Sequence, residues 1–265
     1  MTLVRTLPFV ADGSVALPVY QTFGQQIEAL SPTAWTPQRD ADFTGMVGAE
    51  VQELMARAPA AAKWTALTSA RRPTRLSNMT LLFSTSGSAE GMALAGATFP
   101  AGDYTKLVVF NVDEAVAATA HLMSDSTTTA IQHTLFYTVN LGGGLRASTG
   151  TGVDKQTGVA PAPKGAWGWA LCSYDASERT TFLETYGGRA ANSAGTADVV
   201  PSTACFMGCS TSGASGGLNG KIGPTLILPQ SVYSIDGPTD AARLPIRQML
   251  IRYAERAIAR LNAGI

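Results

Sequence analysis

The sequence predicts an all-β, antiparallel sandwich followed by one C-terminal α-helix. Three observations predict it. Between Trp64 and Leu228, short apolar segments alternate with turn-rich stretches, the signature of many paired strands. Tyr104 to Val112 carries apolar residues at both parities, as a strand covered on both faces does. From Asp240 to Leu261, the apolar residues Leu244, Met249, Ile251, Tyr253, Ile258 and Leu261 interleave with Arg243, Arg247, Arg252, Glu255, Arg256 and Arg260, the pattern of an amphipathic helix.

The elements follow in chain order. Residues 1–43 hold Pro8, Pro18, Pro32 and Pro37 and little periodicity; they predict an extended N-terminal arm, with one strand at Ser14–Tyr20, that could dock on a partner or wrap its own domain. Residues 44–265 form the main domain. In Gly45–Arg57 the spacing of Val47, Val51, Leu54 and Met55 suits a short helix ended by Pro59, with a strand through Val51–Met55 as the alternative. Strands are expected at Thr80–Ser84, Met92–Ala95, Tyr104–Val112, Leu145–Ser148, Trp167–Tyr174, Arg179–Tyr186, Thr203–Cys209 and Lys221–Leu228, and a hairpin from Val116–Met123 and Ile131–Leu141. The helix is placed at 240–261, with Asp240 or Thr239 as N-cap and Pro245 tolerated only in its first turn.

Composition narrows the function classes. Hydrophobic residues make up 45% and charged residues 14%, and Lys plus Arg equals Asp plus Glu at 19 each. Such a chain can build a large core, and without a basic stripe it argues against nucleic acid as partner. A surface lean in charge suits a homo-oligomer or larger assembly. No signal peptide or membrane-length apolar run is visible, which predicts a soluble, non-membrane protein. The three cysteines form no disulfide framework. Cys205 and Cys209, four apart on a strand, would stand about 13 Å apart, too far to bridge; buried free thiols are expected.

A family resemblance rests on a series of short motifs. Arg72-Pro73-Thr74, Leu81-Leu82-Phe83 followed by Met92-Ala93-Leu94, Thr105 to Phe110, Trp169-Ala170-Leu171, Thr181 to Gly188, Met207-Gly208 and Leu218 to Gly223 occur in that order. Over residues 64–265 this resembles a concanavalin A-like lectin/glucanase jelly roll of the LamG (laminin-G-3) type, as found on phage virions. Two positions depart from the pattern: Gly187-Gly188 replaces Asn-Gly, and Pro224 stands where an acidic residue is usual. The resemblance implies a lectin-like, carbohydrate-binding virion protein that serves host attachment through a cell-surface glycan, with the arm contacting other virion proteins. The alternative is a structural virion protein without glycan binding.

Catalytic chemistry finds little support. Glycanases on such folds need a carboxylate pair, and no glutamate here has aspartate two residues on; Glu178 and Glu184 are about 20 Å apart along a strand. His121 and His133 lie in apolar β-like segments and no G-x-S-x-G elbow occurs. Gly142-Gly143-Gly144 and Gly220-Lys221 read as turns. The chain is therefore expected to be no enzyme and to carry no cofactor; calcium could bind loop oxygens, but no motif supports it. Candidate ligand-binding residues are Trp167 and Trp169, two apart and so on one side of a strand, Tyr186, and the loop residues Asp154, Asn192, Asp198 and Asn219, whose polar groups could bond sugar hydroxyls. Burial in the core is the competing expectation for the tryptophans.

Overall fold

The computed structural model describes residues 22–76, 79–85, 89–116, 118–125, 133–139, 144–148, 156–159, 164–192, 204–210, 216–233 and 242–264. The strands are β1 (Ala34–Thr36), β2 (Phe43–Val47), β3 (Glu50–Met55), β4 (Lys63–Ala66), β5 (Thr74–Leu76), β6 (Thr80–Phe83), β7 (Met92–Ala95), β8 (Tyr104–Val112), β9 (Ala120–Ser124), β10 (Thr134–Thr138), β11 (Gly144–Ser148), β12 (Gln156–Val159), β13 (Gly168–Asp175), β14 (Thr180–Thr185), β15 (Gly188–Asn192), β16 (Phe206–Met207) and β17 (Gly220–Leu228). Two helices, α1 (Phe23–Ala29) and α2 (Arg243–Ala263), flank them in sequence.

The pairings between these strands are antiparallel and resolve into two layers. One sheet runs β15-β14-β13-β8-β17, and β17 is then flanked by β6 along Gly220–Ile222 and by β1 along Thr225–Ile227. The other runs β2-β3-β4-β7-β16-β9-β10-β11-β12. β5 pairs with β6 and touches β3 at Glu50–Thr74, which ties the layers at one edge. The expected antiparallel jelly-roll sandwich with a C-terminal helix is therefore the observed fold.

Two apolar clusters follow from strand alternation. On β8, Tyr104, Val108, Phe110 and Val112 face the space between the sheets, where they meet Phe83, Met92, Leu122, Leu135, Leu183 and Ile222. Leu107 and Val109 face outward, under the helices, with Trp35, Trp169, Leu171, Leu226, Leu250, Ala254 and Ile258. β17 joins both clusters through a break in register between Ile222 and Thr225. Ile222 and Ile227 have opposite parity, yet both point inward; an extra residue in the strand is what allows this. Pro224, the departure from the family pattern, sits in this irregularity, where a missing N–H breaks no ladder bond. Gln38 Nε2 donates to the Gly223 carbonyl at 2.5 Å and holds the irregularity in place.

The helix α2 lies on the outer face of β8, β13 and β17. Its buried residues, Leu250, Ala254, Ala257, Ile258 and Leu261, fall on one stripe, and the two alanines let the helix axis approach the sheet. Arg247 anchors it to β14: Nε lies 2.7 Å from Glu184 Oε2 and Nη2 lies 2.5 Å from Oε1. Arg243 Nη1 lies 2.6 Å from Asp175 Oδ2. The helix ends at Gly264 in the left-handed region, φ 72°, where glycine carries no Cβ penalty. The N-cap is Ala242, which replaces the expected Thr239 or Asp240. The start at Arg243 puts Pro245 within the first turn, where its absent N–H leaves no helical bond unmade.

Two sequence expectations change. The helix expected at Gly45–Arg57 is the β2–β3 hairpin, turned at Gly48 with φ 63°. The alternative strand through Val51–Met55 is the observed β3; Val51 and Leu54 are both buried although three apart, because the β2–β3 register shifts between Val51 and Glu53 and leaves Gln52 as an extra residue in the strand, a bulge that mimics a helical spacing. Within the expected arm, residues 22–43 are built into the sandwich. α1 is capped by Thr22 and Gln25 in a reciprocal capping box, Ile27 is buried, and β1 places Ala34 in the inner cluster and Trp35 in the outer one. Ser14–Tyr20 lies outside the described residues.

Candidate functional site

The expected ligand residues separate in the structure. Trp167 and Trp169 do face the same side, but α2 covers that side: Trp169 is 3% exposed within the outer cluster and Trp167 packs against it. Trp169 is a core residue, and Trp167 is partly buried against the same cluster. Tyr186 is 56% exposed and its ring lies 5.3 Å from that of Trp169. Asn192 pairs with Thr181 at the far end of β15, five residues or about 17 Å along the sheet from Trp169. Asn219 lies on the other side of β8 from Trp167, two strand spacings across and two residues along, about 12 Å away, and its carbonyl accepts from the Asp113 N–H at 3.0 Å. Asp154 and Asp198 lie outside the described residues. The structure thus gathers Trp167, Trp169 and Tyr186 into one aromatic group, mostly closed, and leaves the asparagines apart.

A different site is open. Where α2 passes over β1 and the β17 irregularity, a pocket of about 270 Å³ is lined by Phe23, Trp35, Pro37, Met79, Pro224 and Tyr253, with Arg39, Arg256 and Arg260 around it. Each part has a local cause. Pro37 follows β1, and Pro224 is exposed to the pocket because β17 bulges there. Tyr253, Arg256 and Arg260 recur at three- and four-residue spacing and so share a face of α2. α1 brings in Phe23, whose ring lies 4.5 Å from the Arg256 guanidinium carbon, a cation–π contact that holds this side chain beside the pocket.

The polar groups of the pocket are donors. Trp35 Nε1 donates to the Tyr253 hydroxyl oxygen at 3.1 Å, which leaves the phenol proton to be given to an acceptor. Burial pushes the Tyr253 phenol up to about 12, although the Trp35 bond and the charges of Arg39 and Arg260 work in the other direction; the group is protonated at neutral pH. Among the described residues, none of the three arginines forms an ion pair, and the described lining contains no carboxylate and no imidazole. A set of guanidinium groups and one phenol, beside the partly buried Phe23 ring, complements a small anion. It offers no acid–base pair.

Both histidines pack against neighbouring aromatic rings. His133 Nδ1 and the Tyr104 hydroxyl lie 3.0 Å apart inside the sandwich. His121 stacks on Phe136 with ring centroids 5.5 Å apart. Burial pushes their imidazoles down to about 3 and about 4 respectively, the nearby Lys106 adding to the effect on His133. The three cysteines are free and buried. Among the described residues no group of three or more His, Cys, Asp or Glu side chains could hold a metal, and no helix is long and apolar enough to cross a membrane.

No family model matches the sequence, and no curated protein matches it. Solved structures do share the fold. A Trypanosoma rangeli sialidase, in complex with a difluorinated nononic acid, superimposes with a TM-score of 0.53 at 10% identity, covering 87% of this chain and 38% of the sialidase chain. This chain thus spans less than two-fifths of that enzyme's length. A SAP-like pentraxin from Limulus polyphemus gives 0.47 at 9% identity, over 58% of this chain and 77% of its own. The Ruminococcus gnavus IT-sialidase CBM40, bound to α2,3-sialyllactose, gives 0.43 at 12% identity, over 61% and 96%. At these identities the sialidase match shows a shared β-sandwich fold and nothing finer.

The sequence reading missed Phe23, Trp35, Arg39 and Tyr253 because they lie in the expected arm and on the helix, distant in sequence. One signal was present: Arg252, Arg256 and Arg260 recur every four residues, a line of cations on one helix face.

Proposed function

We propose that the chain is a non-enzymatic, lectin-like carbohydrate-binding protein, and that its ligand is an acidic sugar held in the arginine-lined pocket. The observation that carries this reading is the donor-only polar lining: Arg39, Arg256, Arg260 and the Tyr253 hydroxyl, which accepts from Trp35, stand beside Phe23. A carboxylate accepts from guanidinium forks in pairs, while the C–H face of a sugar ring lies on an aromatic surface. The volume, about 270 Å³, is at the small end for ligand sites and suits one sugar residue. The sialic acid bound by the similar T. rangeli sialidase is one sugar of this class. The resemblance to phage-borne LamG-type domains supplies the setting within this proposal, host attachment on a virion.

Titration calorimetry with sialic acid, glucuronic acid and their neutral counterparts tests the reading. The acidic sugars should bind and the neutral ones should not. Arg260→Ala removes one charged hydrogen-bonding group, worth about 1.5–3 kcal/mol, and should weaken binding by roughly 10- to 150-fold. A chelator should leave binding unchanged. Equal binding of neutral sugars, or an unaffected Arg260→Ala protein, would exclude this site. No binding of any sugar would favour the structural-protein alternative.

A further inference from the structure

Lys106 on β8 and Asp125, the residue after β9, meet inside the sandwich. Each side chain is 1% exposed, and Nζ lies 3.0 Å from Oδ1. β8 and β9 belong to different sheets, so the contact spans the core from one layer to the other. Nζ also donates to the His133 carbonyl and stands 4.7 Å from the Phe99 ring centroid and 5.2 Å from that of Tyr104. The amine is thus held on one side by a carbonyl and two rings and turned toward the carboxyl on the other.

A fully buried ion pair loses much of its attraction to desolvation. Burial pushes the Asp125 carboxyl up to about 6 even against the pull of Lys106. Moving one proton from ammonium to carboxylate leaves an amine and a carboxylic acid, both uncharged and in contact. These are the reactants of amide formation, held in fixed juxtaposition. Fixing two such groups raises their effective concentration to about 10⁵–10⁸ M in favourable cases, and the dry core disfavours the reverse reaction with water.

We propose that Lys106 and Asp125 condense into an Nζ–Cγ amide that joins the two sheets. The Nζ lone pair attacks Cγ and a C–N bond forms. The bond from Cγ to the acid's hydroxyl oxygen breaks, and that hydroxyl leaves with one amine proton as water. No oxidant, reductant or further reactant is consumed. Cys172, Cys205 and Cys209 are free, so this amide would be the covalent tie between layers among the described residues.

Mass spectrometry of the intact, denatured protein decides it, because an ion pair leaves the mass unchanged and an amide does not. The wild-type chain should be lighter than its sequence mass by one water. Tryptic digestion should give a branched peptide joining Lys106 to Asp125, with no cleavage after Lys106. Asp125→Asn should lose ammonia and reach the same mass as the linked wild type, whereas Asp125→Ala and Lys106→Arg should keep their full sequence masses. A full-mass wild-type chain that trypsin cleaves after Lys106 would overturn the proposal. A water loss mapped instead to Asp12-Gly13 or Asp236-Gly237, where a succinimide forms, would overturn it equally. The wild-type measurement needs no variant to fold.

Discussion

Replacing His133 by glutamine should flatten the acid sensitivity of folding between pH 7 and pH 5. His133 is 1% exposed, its Nδ1 shares a hydrogen bond with Tyr104, and its Nε2 has no partner among the described residues. Burial, with Lys106 nearby, pushes the imidazole down to about 3, against an ordinary value of 6.5. The depressed value means that the unfolded chain takes up the proton first. Stability is therefore fully present above pH 6.5 and falls as the pH drops below it, continuing down to the folded value. At pH 5 the gap is about 1.5 units, and at 1.36 kcal/mol per unit this amounts to about 2 kcal/mol. Urea denaturation of wild type and His133→Gln at pH 7 and pH 5, at constant salt, measures it. The wild type should lose about 2 kcal/mol more than the variant. His121 titrates in both proteins and cancels. Glu184 and Asp175 have folded values depressed by their partners, so they contribute only below their ordinary range. An equal pH dependence in the two proteins would refute the reasoning, whatever the variant's stability at pH 7.

Three further predictions concern the scaffold. Arg247→Ala strips a two-pronged partner from Glu184, whose side chain is 14% exposed; burial alone would raise that carboxyl, but the Arg247 and Tyr233 bonds hold it below its ordinary value. The loss should lie between that of exposed and buried pairs, about 2 kcal/mol, read as a lower urea midpoint. Gly96→Ala places a Cβ 2.0 Å from the Ala61 carbonyl oxygen at φ +73°. It should cost at least about 2 kcal/mol, since the conformation alone disfavours a side chain by about 1–2, and a chain of unchanged thermal midpoint would contradict the local geometry. A thiol reagent should label none of the three cysteines in the native protein and all three in denaturant, because they are at most 1% exposed and burial pushes the Cys172 thiol up to about 12; rapid native labelling would contradict the packing.

The legible part of the fold was local. β7 and β8 fall where the sequence placed them, since their apolar runs end at turn residues on both sides. At the β2–β3 hairpin the alternative strand, Val51–Met55, is the one observed; the bulge at Gln52 puts Val51 and Leu54 on one face and so imitates a helical period. β1 escaped notice because three residues beside prolines carry little pattern, and their role depends on β17 at the other end of the chain. The same distance hid the pocket, whose walls come from residues 23–39, 79, 224 and 253–260. Trp167 and Trp169 were correctly placed on one side of a strand, but which side the helix would cover depends on packing. Lys106 left a trace that the sequence reading passed over: it shares parity with Tyr104, Val108 and Phe110, the inward face of a central strand.

The pocket is tested most directly by the indole N–H resonances of the four tryptophans during titration with an acidic sugar. The Trp35 signal, which reports the bond to Tyr253, should shift with saturation, while the Trp64 signal, from an indole bonded to Thr36 within the core, stays in place. A titration that moves Trp169 beside Tyr186 and leaves Trp35 untouched would put the ligand at the aromatic edge and contradict the pocket.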